Sequence, residues 1–388
     1  MIVEKADRLK NVQEYYFSRK LEQIQAMRSR GIDVINLGIG SPDLIPPPGA
    51  LQAASIAILE EGNHGYASYR SSPELRAAIA QWYQTTYLVE LKADRNILPL
   101  LGSKEGILYL SMALLNHGDQ VLIPNPGYPA YASVANLLGA KIVEYSLTEQ
   151  NHWLPDLAAL EKQDLSRCKL MWVNYPHMPT GKSADSLLFQ KLVQFARAKK
   201  ILICNDNPYG LVLNETKPLS ILAADPHFEV TAELNSLSKS FNMAGWRVGM
   251  ILGSQELIEA VLQVKSNVDS GMFTAVQKAA IAALDSPASW HEARNKIYFE
   301  RRKIIWQIFD ALGFQYEKDQ VGLFVWAKAP STVPVVTEFL DELLEKAHVF
   351  LTPGMIFGSN GNLFARASLC APVERLKTAL ERAKEFCR

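Results

Sequence analysis

The stretch Ser236-Leu-Ser-Lys239-Ser-Phe-Asn-Met-Ala-Gly-Trp-Arg247-Val-Gly249 constrains this chain more than any other. An apolar, strand-like run, Val230 to Leu234, precedes it, and a second, Val248 to Leu252, follows. A lysine between two buried strands must snorkel, pair or lose its proton, because a charged ammonium is costly to desolvate. Desolvation lowers a lysine pKa, and a partly neutral amine is a good imine-forming nucleophile. Ser236 stands three residues before Lys239, and Arg247 eight after it. A hydroxyl and a guanidinium flanking an amine suit a phosphorylated aldehyde. The guanidinium grips phosphate, the hydroxyl donates to it, and the amine takes the aldehyde carbon. Lys239 alone would read as a solvated turn residue; the serine, arginine and glycines at these offsets change that reading.

The stretch resembles the S-x-S-K-x-x-x-x-x-G-x-R-x-G signature of the class I/II aminotransferases, which are fold-type-I pyridoxal-phosphate enzymes. The resemblance implies pyridoxal 5'-phosphate as cofactor, carried by Lys239 as an imine.

The rest of the chain fits a large soluble protein. Its 388 residues exceed one ordinary core and suit two or three domains, or one large domain with a satellite. Forty basic residues balance forty acidic ones, so charge points to neither nucleic acid nor an acidic membrane. Cys168, Cys204, Cys370 and Cys387 have no C-x-x-C spacing, which gives no metal site and favours reduced thiols in a cytoplasmic setting. No apolar run approaches the roughly 20 residues of a membrane span, and the opening Met-Ile-Val-Glu-Lys lacks a signal-peptide core.

Along the chain, strand and helix patterns alternate. Residues 13–30 read as an amphipathic helix closed by Gly31, and 34–37 as a short strand. Gly38-Ile-Gly40-Ser-Pro-Asp43 is no dinucleotide fingerprint, since the third glycine is missing and Pro46-Pro-Pro48 prevents a helix from opening. Helices are expected at 48–61 and 73–87, the latter capped by Ser72 with Pro73 in its first turn. Ile97 to Leu101, a glycine and Ser103 at a helix start make an anion cradle at Gly102-Ser103-Lys104. Further strands and helices follow at 120–124, 141–147, 155–163, 169–174, 184–199 and 201–205. The Val/Ile/Leu-rich strands in this alternation argue for a mostly parallel, doubly wound sheet with ligands at the carboxyl ends of its strands. After helices at 254–265, 272–284 and about 287–312, short strands and helices at 335–347 and 372–386 read as a smaller α+β domain.

The resemblance extends over nearly the whole chain. It implies a large domain with a mostly parallel seven-stranded sheet sandwiched by helices, at about 49–280. A small α+β domain would be built from both termini, 1–48 and 281–388. It also implies a homodimer with shared active sites. Gly102, Ser103, Lys104, Ser236 and Arg247 would hold the cofactor phosphate, joined by Tyr66 from the neighbouring subunit; Ser71 stands where the family has glycine. Tyr128, in Pro124-Asn-Pro-Gly-Tyr128, would stack on the ring. Asp206, in the D-x-x-Y pair with Tyr209, would face the ring nitrogen and keep it protonated, while Tyr209 donates to the phenolic oxygen. Asn174 is a further cofactor contact. Gly40 and Arg366 would hold the substrate α-carboxylate, Arg366 as a bidentate fork. One position departs from the family. In Asn174-Tyr-Pro-His177-Met178-Pro-Thr-Gly181, Met178 replaces an asparagine that donates to the phenolic oxygen, with Asn174 and His177 as nearby polar candidates.

The implied reaction moves an amino group between an L-amino acid and a 2-oxo acid in ping-pong fashion, with glutamate and 2-oxoglutarate as one pair and Lys239 as proton shuttle. A lyase or synthase on the same scaffold is the alternative. A cofactor-binding regulator would need a DNA-binding domain for which the length leaves no room. Residues 266–277 hold Asn267 and Asp269 but no arginine, so aspartate is not favoured. Tyr15-Tyr16-Phe17 is placed to border the substrate pocket, and the chain's opening resembles branches acting on alanine, methionine or diaminopimelate-type substrates.

Overall fold

The computed structural model describes residues 3–10, 12 and 16–388; residues 13–15 of the expected first helix, Tyr15 among them, lie outside the described residues. The chain opens with α1 (Tyr16–Ser29), β1 (Ile35–Asn36), α2 (Pro48–Ile58) and α3 (Pro73–Tyr87). It continues through β2 (Ile97–Leu100), α4 (Ser103–Leu114), β3 (Gln120–Asn125), α5 (Pro129–Leu138), β4 (Lys141–Ser146) and α6 (Leu157–Glu161). The middle of the chain is β5 (Cys168–Val173), α7 (Ser186–Lys199), β6 (Leu202–Asp206), β7 (Thr231–Ser236), α8 (Leu237–Ser240) and β8 (Gly249–Leu252). Helices α9 (Gln255–Lys265), α10 (Thr274–Leu284) and α11 (Ala288–Ala311) follow. The last part is β9 (Gln315–Tyr316), β10 (Phe324–Lys328), α12 (Val336–Ala347), β11 (Val349–Phe350), β12 (Thr352–Pro353), β13 (Phe364–Ser368) and α13 (Val373–Phe386).

Seven strands form one sheet in the order β2-β8-β7-β6-β5-β3-β4. The pairs from β7 to β4 are parallel, while β8 runs antiparallel to both neighbours. Parallel strands need crossover helices on the faces, which bury both sides and demand continuous apolar runs. Accordingly β3 and β7 are buried at every position. Local chemistry sets the helix boundaries. Ser72 accepts from Leu75 N at the start of α3, Asp185 from Leu188 N at α7, and Ser254 from Leu257 N at α9. Gly139 closes α5 in the left-handed conformation.

A four-stranded antiparallel sheet, β12-β13-β10-β9, is built from the C-terminal part. The N-terminal arm joins that region through β1, which pairs in parallel with β11 (Ile35 with Val349, Asn36 with Phe350). The sequence expectations match these elements, with shorter ends at 48–58 and 157–161. Ser71, in place of the family glycine, adopts φ +57° and so keeps the left-handed turn that a glycine would supply.

Candidate active site

The carboxyl ends of β2, β3, β5, β6 and β7 point to one side of the large sheet, and the residues just beyond them converge. They line a cavity of about 640 Å3 with residues of the N-terminal arm and of β10 and β13. Gly40, Ser103, Lys104, Tyr128, Asn174, Asp206, Tyr209, Ser236, Lys239, Arg247 and Arg366 all border it. Gly102 stands directly behind, where a β-carbon would collide with the Arg247 guanidinium. Only Tyr66 stands apart, 94% exposed on the surface of this chain.

Lys239 lies on the one-turn helix α8, capped by Ser236, whose hydroxyl accepts from Ser238 N at 3.0 Å. Its Nζ donates to the carbonyl of Gly40. Burial lowers the lysine pKa to about 8, and the positive fields of Arg366 and Arg247 add to the effect. A substantial neutral fraction near pH 8 is what imine formation and proton transfer require.

Asp206 closes β6. Its Oδ2 accepts from the Tyr131 hydroxyl at 3.0 Å, and Tyr131 is itself stacked on Trp172. The other oxygen, Oδ1, is buried with no hydrogen-bond partner. Burial pushes the carboxyl up to about 7. A buried carboxylate oxygen bordering a cavity without a donor fits a protonated ring nitrogen, which would supply both the donor and the opposite charge.

At the far end, Gly102 takes φ +96° and precedes α4 without a side-chain cap, so the start of α4 suits an anion. Arg247, itself left-handed at φ +57°, donates from Nη1 to Ala244 O at 2.9 Å and from Nη2 to Leu101 O at 3.3 Å. A side chain at Gly249 would strike the Gly102–Ser103 backbone, so this glycine allows the strand and the cradle to touch. The cradle and the lone Asp206 oxygen thus fit the two ends of pyridoxal 5'-phosphate.

Arg366 projects from β13. Nη2 donates to Gly38 O at 2.7 Å, and Nη1 lies 3.1 Å from the sulfur of Met178. Its guanidinium is cupped by Phe324 at 3.9 Å, Phe357 at 4.6 Å and Phe17 at 5.6 Å. Met178 is thus a buried neighbour of Arg366, a contact that no local sequence pattern shows. Asn174 does not substitute for the missing asparagine by a free amide: Nδ2 donates to Asp206 O and Oδ1 accepts from Met178 N at 2.9 Å. His177 turns its Nδ1 to Thr180 Oγ1 at 2.8 Å and does not border the cavity; burial lowers its pKa to about 3. Sequence reasoning also missed Tyr131, three residues after Tyr128 and on the same helical face, and the apolar wall of Leu21, Ile39 and Phe357. Phe17 borders the cavity as expected. Among the described residues no cluster of His, Cys, Asp and Glu is arranged to hold a metal ion, and no helix is long and apolar enough to cross a membrane.

Comparison with known proteins gives this geometry a context. The family described as aminotransferase class I and II matches residues 32–382. LL-diaminopimelate aminotransferase from Halothermothrix orenii is 38% identical over 98% of this chain and 98% of its own length. That from Aquifex aeolicus is likewise 38% identical with 98% coverage of each. Among solved structures, apo-BacF from Bacillus subtilis superposes with a TM-score of 0.95 at 38% identity, covering 100% of this chain and 99% of the other. Aspartate aminotransferase from Thermus thermophilus with maleate gives 0.92 at 25% identity, with 99% and 100% coverage. The relatives are transferases by name, which disfavours the lyase alternative. With the family match, the fold-type-I architecture and the cavity built for pyridoxal phosphate in agreement, the chain belongs to the class I and II aminotransferases and is a pyridoxal-phosphate-dependent aminotransferase.

Proposed function

We propose that this enzyme exchanges an amino group between an L-amino acid and a 2-oxo acid, with glutamate and 2-oxoglutarate as one pair. The observation that carries the reading is the convergence of Lys239, the unmatched Asp206 oxygen and Arg366 on one cavity. Pyridoxal phosphate, when bound, supplies an electron sink for charge developed at the substrate α-carbon. The chain's own residues do the rest. Lys239 holds and moves the proton at that carbon, helped by its low pKa. Asp206 keeps the ring nitrogen charged, and Tyr209 donates to the phenolic oxygen. Tyr128 packs on the ring. Gly102, Ser103, Lys104, Ser236 and Arg247 grip the phosphate, with Asn174 a further contact, and Arg366 and Gly40 orient the substrate carboxylate.

The names of the relatives make LL-diaminopimelate the first amino donor to try. A second reading has its own support: Phe17, Leu21 and Ile39 give the outer wall an apolar face suited to an aliphatic or aromatic side chain. A panel of amino donors against 2-oxoglutarate, read by the change in cofactor absorbance, decides between them. Turnover of diaminopimelate alone would sink the second reading, and turnover of only apolar donors the first. A lack of transamination with every donor would sink both.

The proposal includes a homodimer in which Tyr66 completes the neighbouring subunit's phosphate site. Exposed Leu51, Ile58, Tyr66 and Phe273 support it as a surface that a second copy would cover. We also propose domain limits near 49 and 280, and a cytoplasmic setting in which the four free cysteines stay reduced.

A further inference from the structure

Behind the cavity, on the opposite face of the sheet, a glutamate occupies an unusual place. Glu233 lies in the middle of β7 and is fully buried. It stands beside Asn205 in the register of β6 and β7, and Asp206 follows at the next position. Side chains alternate along a strand, so Asp206 faces Tyr131 while Glu233 faces α3.

Several donors converge on this carboxyl, the Ser220 side chain among them. Oε1 accepts from the Tyr83 hydroxyl at 2.8 Å and from Asn207 Nδ2 at 3.4 Å. Oε2 accepts from Asn205 Nδ2 at 3.2 Å and from Ile221 N at 3.2 Å. The Tyr83 oxygen receives Asn235 Nδ2 at 2.9 Å and passes its own hydrogen on to Glu233. A carboxyl that only accepts is a carboxylate. Among the described residues no Lys, Arg or His donates to it. The titratable groups around it are Tyr83 and Tyr87 from α3, and Cys204 and Asp206 from β6. Burial raises the Glu233 pKa to about 6, against hydrogen bonds from Tyr83 and Asn205 that favour the charged form.

Its partners are the residues next to the cofactor contacts. Asn205 precedes Asp206, accepts from Tyr175 N at 2.8 Å and so fixes the residue after Asn174. Asn207 follows Asp206. Asn235 precedes Ser236 and accepts from Ser236 N at 2.8 Å. One buried charge thus reaches the ends of β5, β6 and β7 through three asparagines.

We propose that Glu233 is a positioning residue with an electrostatic role: an anion beneath the floor of the site that fixes three strand ends and, through its charge, makes Asp206 and the ring nitrogen it faces hold their proton more firmly. The inference rests on the assignment of Asp206 to the ring nitrogen. A buried anion lacking a cation is costly in the empty protein, and a charged ring on the other side of the sheet offsets that cost.

The test loads the enzyme with 15N-labelled pyridoxal phosphate and follows the ring-nitrogen signal against pH. In Glu233→Gln, which is nearly isosteric but neutral, the ring nitrogen should lose its proton at a pH lower by on the order of one unit, as expected for removal of one nearby charge at the effective dielectric of a protein interior. Glu233→Asp keeps the charge and loosens the hydrogen bonds, so its signal should stay near that of the unaltered enzyme. Equal shifts in both variants would leave only a structural role and overturn the proposal, as would an unmoved signal in Glu233→Gln. If Glu233→Gln does not fold, Tyr83→Phe removes one donor, favours the neutral carboxyl and should give a smaller shift in the same direction; no shift there is also fatal. Asp206→Ala separates the premise: an unchanged signal in that variant would strike the Asp206 assignment rather than the role of Glu233.

Discussion

Single side chains decide the chemistry, and three of them give direct tests. Arg366 is buried among three aromatic rings, so an incoming carboxylate meets a guanidinium with little water around it. Removing it leaves that carboxylate unpaired. Arg366→Ala should lower kcat/KM for amino acids by 2–5 kcal/mol in transition-state terms, roughly as for one partner of a buried charge pair, with the cofactor spectrum retained. An unaltered kcat/KM would exclude the role. On the proposed ring contacts, Met178 removes one donor to the phenolic oxygen, while Asn174 Nδ2 donates to Asp206 O and His177 faces Thr180. A less stabilised phenolate holds the shared imine proton more tightly. Met178→Asn should lower the midpoint of the holoenzyme's absorbance titration by about one pH unit or less, the worth of one neutral hydrogen bond. Equal midpoints in the two proteins would refute this. Asp206 supplies a stability test. Its folded pKa of about 7 lies above the unfolded value, so the folded apoprotein binds the extra proton between about pH 4 and 7, and stability falls as pH rises through that window. His177 and His291, both lowered to about 3, act in the opposite sense below about pH 6.5, so the comparison must be between variants. Apo Asp206→Asn should lack this fall and gain on the order of 3–4 kcal/mol on the parent between pH 4 and 8. Parallel stability curves in denaturant would contradict it.

At the level of elements, much was legible. Parallel strands buried on both faces must be written as runs such as Val121-Leu-Ile123, and α3, α7 and α9 carry cap residues at their starts. Many residues bordering the cavity stand just past strand ends, so reading the strands also brought them together. What stayed hidden depends on contacts distant in sequence. Glu233 sits in an apolar strand and makes sense only once α3 brings Tyr83 against it. The sulfur of Met178 meets Arg366 across 188 positions. The caps permit a clean measurement. Ser72 accepts from Leu75 N at 3.1 Å and does not border the cavity. Ser72→Ala should cost about 1 kcal/mol of stability, seen as a lower urea midpoint, with kcat unchanged. A loss of activity without loss of stability would mean that α3 is tied to the site more closely than its cap geometry implies.

For the whole molecule, α11 is the tie between parts. Arg294 donates to the carbonyls of Ser240 and Leu211, beside Lys239 and just past Tyr209. Two turns on, Arg301 forks Asp43 at 2.6 and 2.9 Å and donates to Leu369 O. One helix therefore holds the lysine turn, the Gly38–Asp43 loop and the end of the strand that carries Arg366. The proposed dimer can be tested by complementation. Tyr66→Ala and Lys239→Ala homodimers should each be impaired, the first in holding cofactor and the second in turnover. In a mixed dimer, one site would combine an intact Lys239 with an intact Tyr66 from the other copy. Mixing after partial unfolding should restore activity to one site of such a dimer, and no recovery would show that Tyr66 acts elsewhere. The position of β13 has a further consequence during synthesis. The seven-stranded sheet and the cofactor contacts proposed above are complete in sequence by Leu252, and earlier parts of a chain emerge first during synthesis. Arg366 arrives more than a hundred residues later, on a strand that must insert between β12 and β10. On the proposed assignments, a nascent chain would carry the residues of its cofactor cradle long before it carried the arginine that recognises a substrate.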